Sequence, residues 1–193
     1  DVFPESHMAF INSCLVTSNE QEKTTASPKR TSGRFRLFEY SYDVPLLGTI
    51  TIGCSKKGLR YLRSRHYKYL PEPANREELP LLREAAIEVT AYLKGELYSF
   101  ADLPLDLKGT ELQRAVWKHL MTIPRRETRT STDLAQEMGK ENCVGSVGHC
   151  ITANPLPIIV PCHRVIYADG SLRESPLGPN VTRLLLALEG YAP

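Results

Sequence analysis

The chain has 193 residues, 41% of them hydrophobic and 24% charged, with a formal net charge of +2 at pH 7. That suffices for one medium domain or two small ones with a real core, and neither an apolar run of bilayer length nor an opening signal-peptide pattern points to a membrane partner. Five cysteines at irregular spacings, with no Cys-x-x-Cys pair, argue against a disulfide framework and for a reducing compartment with at least one thiol free; a structural zinc site stays open, but no ligand spacing announces one.

Residues 1–33 are polar and aperiodic and read as a disordered tail. Within it, Ser6-His7-Met8 resembles a cloning junction, which makes residues 1–7 vector-derived and Met8 the natural start. From Phe35 the pattern is β-like. Phe35–Tyr40 and Gly48–Ile52 flank a Pro45–Gly48 turn, and Leu59–Tyr69 gives a third strand. Glu77–Leu97 has helical spacing, with Leu81, Leu82, Ala85, Ala86, Val89, Tyr92 and Leu93 on one face. Residues 34–100 therefore form a small α+β domain, and 101–108 a Pro-containing linker.

Residues 109–193 are mainly helical. Thr110 caps a helix carrying Leu112, Val116, Trp117, Leu120 and Met121 on its apolar face until Pro124. Ser131 or Thr132 opens a short helix ended by Gly139, and Cys143–Ile151 forms another, so the pair fits a helix-turn-helix. Cys143 and Cys150 are read as packing residues of that second helix. A last helix runs from Asn180 to Glu189, with Gly190 beyond. The fold class is thus α+β: a sheet-plus-helix domain, then a helical domain with a helix-turn-helix. Basic residues cluster between Lys29 and Lys68 and at Arg125, Arg126 and Arg129, which permits a polyanion partner, although a solvated face is the commoner cause.

The chemistry concentrates in Ile158-Ile159-Val160-Pro161-Cys162-His163-Arg164-Val165, where an apolar β-prone strand delivers a cysteine through a proline to an adjacent histidine. A thiol of ordinary pKa near 8.5 is only about 3% thiolate at pH 7, and lowering that pKa by two units takes roughly 2.7 kcal/mol of preferential thiolate stabilisation.

Gly109-Thr110-x-x-Gln113-x-x-Val116-Trp117, Ile123-Pro124, Leu134-Ala135, Asn154-Pro155, Pro161-Cys162-His163-Arg164-Val165 and Leu188-Glu189-Gly190 occur in order. Together they resemble the O6-alkylguanine-DNA alkyltransferases. The resemblance implies that Cys162 accepts an alkyl group from O6 of guanine once and irreversibly, without a cofactor. It makes His163 the base through a bridging water, Glu189 the acid that polarises His163, and Asn154 the hinge ahead of the cysteine. The carbonyls of Cys162 and Val165 would meet the amine of a flipped base. Implied partners are duplex DNA carrying O6-alkylguanine or free O6-alkylated guanine analogues, with the protein a monomer and, from the family's task and Lys29-Arg30, nuclear. Cys54 falls near a zinc-ligand position of some relatives, but Arg60 stands where a histidine ligand is expected, so no zinc is predicted.

Departures fall at the substrate and DNA positions. Ser131 stands for a tyrosine and Gly145, next to Ser146, for the arginine that enters the base stack; duplex capture would then need Lys140, Arg126, Arg129 or His149. Thr132 is a further DNA-facing position. The pocket lid reads Ser175-Pro176-Leu177-Gly178, and Pro176 has no N–H to offer the guanine oxygen. A divergent repair protein, an engineered self-labelling variant reacting with free benzylated bases, and a helix-turn-helix protein without catalysis stand as alternatives, the first favoured.

Overall fold

The computed structural model describes residues 37–44, 47–64, 79–97, 99–100, 102–178 and 180–191. The tail, the cloning-like junction, Lys29-Arg30, Pro45 and the far end of the third strand lie outside the described residues. Strand β1 (Phe38–Val44) pairs antiparallel with β2 (Gly48–Ser55), which pairs antiparallel with β3 (Gly58–Ser64). β1 runs beyond the expected Tyr40 because the hairpin register continues to Val44 opposite Gly48, whose φ of +70° makes the tight reversal. One face of this meander, Ile50, Ile52, Cys54, Leu59 and Leu62, packs on Leu82, Ala85, Val89 and Leu93 of helix α1 (Leu79–Leu93). Pro80 sits in the first turn, where no N–H is needed. The helix stops before the expected Leu97 because Gly95 turns left-handed at φ +75° and Glu96 N–H returns to the Ala91 carbonyl.

The linker is stitched to the sheet. Leu59 N–H donates to Pro104 O and Asp106 N–H to Leu59 O, both at 2.8 Å. Gly58 (φ +145°) is required here, since a Cβ would lie 2.4 Å from Pro104 O. Asp106 accepts from Ser55 Oγ (2.6 Å) and Arg60 (2.9 Å), with Lys108 at 3.3 Å. Burial would raise the Asp106 carboxyl, but these donors overcome it and hold it at about 2. Its folded pKa is depressed, so its stabilisation is present above the unfolded value near 3.9 and is lost as pH falls towards 2. Asp106→Asn should cost about 1.5–3 kcal/mol in urea unfolding at pH 7, and the gap from wild type should close by pH 2.

The second half begins with α2 (Glu111–Leu120). Thr110 and Gln113 form a reciprocal capping box, and Gly109 lets Trp117 lie close, since a Cβ there would be 2.8 Å from the indole ring. Met121 is not on the buried face: it is the C-cap and is 42% exposed. Helix α3 (Ser131–Glu137) is capped by Thr130 with Asp133, not by Ser131 or Thr132, so these two lie inside its first turn. Gly139 (φ +63°) and a 3-10 turn, Glu141–Cys143, lead to α4 (Val144–Thr152), which packs on both α2 and α3 as the second helix of the helix-turn-helix. Cys143 is exposed, contrary to its expected packing role, while Cys150 is buried under Trp117, whose Nε1 donates to Cys150 O at 2.9 Å. Two-residue strands β4 (Arg129–Thr130) and β5 (Val165–Ile166) pair in parallel, tying the start of α3 to the chain just after Cys162. Helix α5 (Val181–Glu189) ends at Gly190 (φ +83°).

The halves share one apolar core running from Ile50 and Val89 to Trp117, Leu156 and Leu185. Leu62 N–H also donates to Pro155 O at 2.8 Å, joining the sheet to the segment ahead of the nucleophile.

Candidate active site

The segment carrying Cys162 is not the strand that its apolar residues suggest. It folds back on itself: Val160 N–H donates to Leu156 O and Cys162 N–H to Val160 O, both at 2.8 Å. Ile158 takes φ +77°, a conformation that is expensive for a β-branched residue, by about 1–3 kcal/mol. The clamp that holds it is Asn154, which is buried: Nδ2 donates to Val160 O (2.8 Å) and Oδ1 accepts from Leu156 N–H (3.0 Å). The same amide favours the Cys162 thiolate. A loop pinned from within by a side chain positions a nucleophile without a neighbouring strand. A 3-10 turn, Cys162–Arg164, follows, with Val165 N–H on Cys162 O, which leaves that carbonyl one lone pair for a ligand.

Behind the cysteine lies a buried charge cluster. His163 Nε2 is 2.9 Å from Glu189 Oε1. Arg164 embraces the same carboxylate with Nε (3.0 Å to Oε2) and Nη2 (2.7 Å to Oε1), and its Nη1 donates to Ile123 O at 2.6 Å. The Tyr92 hydroxyl, arriving from α1, makes a short hydrogen bond to Glu189 Oε1 and lies 3.2 Å from His163 Nε2. Arg125 donates to Leu188 O and Arg126 to Glu189 O, capping the carbonyl end of α5 and offsetting the unfavourable placement of a carboxylate there.

Burial alone would raise Glu189, but His163 and Arg164 overcome it and hold the carboxyl well below its usual range. Burial lowers His163 against the pull of Glu189, so the imidazole is neutral at pH 7. Burial pushes Tyr92 up, with Glu189 adding to it, so it remains a phenol that donates. The carboxylate fixes the tautomer: Nε2 carries the proton, and Nδ1, which has no hydrogen-bond partner among the described residues, keeps its lone pair. Burial also raises the Cys162 pKa, against Asn154 and the charge of Arg173. With 7% of its surface exposed, Cys162 rests as a thiol, and deprotonation must accompany attack.

The other expected residues are placed less centrally. Val165 is buried in β5. Ser131 sits where α3 meets Gly148 of α4. Ser175 and Pro176 form a turn in which Ser175 Oγ accepts from Leu177 N–H and Ser175 O from Gly178 N–H. Thr132, Lys140, Gly145 and Ser146 are exposed on the helix-turn-helix, and nothing fills the space a side chain at Gly145 would take. Arg129 is neutralised by Glu127 and Glu137. Cys54 is buried in β2, and Arg60 is committed to Asp106. Sequence reasoning missed Tyr92, Arg164 and Arg173. An arginine inside an otherwise apolar run was the available signal for Arg164.

Fold and site together define a group-transfer protein in which a histidine–carboxylate pair backs a buried cysteine on a helix-turn-helix scaffold. Residues 37–107 match the family described as 6-O-methylguanine DNA methyltransferase, ribonuclease-like domain, and residues 111–191 match the DNA binding domain of the same family. The methylated-DNA–protein-cysteine methyltransferase of Methanosarcina barkeri is 41% identical over 74% of this chain and 91% of its own length. The inducible one of Bacillus subtilis is 38% identical over 82% of this chain and 88% of its own length. A crystal structure of the Mycobacterium tuberculosis O6-methylguanine methyltransferase superposes with a TM-score of 0.71 at 37% identity, covering 82% of this chain and 96% of that one. The M. tuberculosis protein in complex with DNA gives 0.67 at 38% identity, covering 77% and 90%. The chain belongs to the 6-O-methylguanine DNA methyltransferase family.

Proposed function

We propose that this protein repairs DNA by moving an alkyl group from O6 of guanine to Cys162 Sγ, once per chain, as a monomer. Nδ1 of His163, directly or through one water, takes the thiol proton as Sγ attacks the alkyl carbon in line. The S–C bond forms, the C–O6 bond breaks, and its electron pair leaves with the guanine oxygen, which recovers a proton as guanine. The reaction balances with the cysteine and the alkylated base alone. The observation that carries this reading is the unpartnered Nδ1 of a neutral, carboxylate-oriented His163 next to Cys162.

The thioether offers no easy return path, so one equivalent should be consumed. Incubation with excess O6-benzylguanine, followed by intact and peptide mass spectrometry, should show one benzyl group on Cys162 and none on Cys162→Ala. An unmodified wild-type chain, or product beyond one equivalent, would overturn the proposal. DNA as the working substrate draws support from the exposed helix-turn-helix and the DNA-bound relative. A duplex bearing O6-methylguanine should compete with the benzylated base.

A further inference from the structure

We propose that Arg125 and Arg126 are positioning residues for the alkyl transfer: they tie the end of α5 to the turn after α2 and so set where Glu189 meets His163. Glu127 N–H donates to Pro124 O at 3.3 Å, which closes a turn with the two arginines at its centre. Arg126 takes the third place of that turn at φ +70°, where glycine is the usual choice, so its backbone is strained. The side chains are spent on α5. Arg125 Nη2 donates to Leu188 O at 2.6 Å and Arg126 Nε to Glu189 O at 3.2 Å. Gly190 and Tyr191 N–H return to Ala187 O and Leu186 O, so the arginines take the two carbonyls that follow, at a helix end where cations are favoured.

The same turn also holds the other end of Glu189. Arg164 embraces the carboxylate, and its Nη1 donates to Ile123 O at 2.6 Å. The main chain and the carboxylate of Glu189 are therefore both tied to residues 123–126, which closes a ring of hydrogen bonds through Arg164. His163 lies at the edge of this ring, with Nε2 2.9 Å from Glu189 Oε1. A helix end otherwise frays, and the carboxylate would swing with its Cα. His163 would then populate the Nδ1–H tautomer, which has no lone pair on Nδ1 to take the thiol proton.

The inference rests on the alkyl-transfer reading, so the test pairs a rate with a spectrum. Single-turnover benzylation of Cys162 by free O6-benzylguanine, a substrate that needs no grip on DNA, is compared for wild type, Arg125→Met, Arg125→Lys and Arg126→Gly. Imidazole nitrogen NMR, with the His163 signals assigned by their loss in His163→Gln, gives the tautomer, and urea midpoints give stability. Arg125→Met should slow benzylation by about 3- to 10-fold, a part of the ~10²-fold that 1 Å of misplacement costs, and an Nδ1–H signal should appear at His163. Arg125→Lys keeps a cation for Leu188 O and should recover most of both. Arg126→Gly relieves the left-handed strain, so its urea midpoint should match or exceed wild type while benzylation slows by about 2- to 5-fold. A merely structural role would move rate and stability together. Wild-type rates with unchanged His163 signals in Arg125→Met and Arg126→Gly would overturn the inference, and so would rates that fall only in step with the urea midpoint. A wild type that resists benzylation, yet whose His163 signals shift in the Arg125 and Arg126 variants, would instead overturn the alkyl-transfer reading and leave the clamp in place.

Discussion

Glu189→Gln is expected to destabilise the protein by about 3–5 kcal/mol and to slow alkylation of Cys162 by roughly 10²-fold. The carboxylate is fully buried and shared by His163, Arg164 and Tyr92, so losing its charge strands a guanidinium with no other carboxylate among the described residues. It also removes the group that raises the basicity of His163, leaving burial and the Arg164 charge to depress it further. Stability and rate can be separated. Glu189→Leu combined with Arg164→Met removes the whole ion pair and should recover much of the lost stability, because paired buried charges are often replaceable by apolar residues of similar volume. Alkylation should remain slow in that double variant. The folded Glu189 pKa is depressed, so its stabilisation is present above about pH 4.3 and is lost as pH falls, and that acid limb should vanish in Glu189→Gln. Urea midpoints across pH and single-turnover benzylation rates provide both readouts. A Glu189→Gln protein that alkylates at the wild-type rate would remove the histidine–carboxylate pair from the mechanism.

The parts of this arrangement that are local in sequence were legible there. The capping box of Thr110 and Gln113, the β-meander, the stop at Gly190 and the adjacency of Cys162 and His163 follow from spacing and turn chemistry. Glu189 was found through the motif resemblance, and its contact with His163 spans the whole last loop and helix. What failed was non-local or depended on burial. Tyr92 occupies an apolar stripe position on α1, and nothing in that stripe says its hydroxyl reaches across the domain boundary. The run Ile158–Val160 has strand composition, but Asn154 satisfies its backbone from inside, so no neighbouring strand is needed. The state of the sulfur turned on desolvation, which a nearest-neighbour reading of Cys-His cannot supply. Thr130 won the cap over Ser131 and Thr132 because Asp133 stands three residues after it, which completes the reciprocal pair.

Asn154→Ala is expected to lower stability by about 2–4 kcal/mol and benzylation by at least ~10-fold. Val160 O keeps a partner in Cys162 N–H, but Leu156 N–H loses the only acceptor it has among the described residues, in a fully buried setting. The left-handed Ile158 then loses the clamp that stabilises it, and the loop can relax by moving Cys162. Displacement by even 1 Å is worth about 10²-fold in an in-line transfer. Asn154→Asp separates the clamp from the field. The carboxylate still accepts from Leu156 N–H, but it faces the Val160 carbonyl and places negative charge beside Cys162, so the benzylation profile should move to higher pH. Asn154→Ala should change rate with little movement of that profile beyond the loss of the amide that favours the thiolate. If both variants alkylate as fast as wild type at every pH, the clamp does not position the nucleophile.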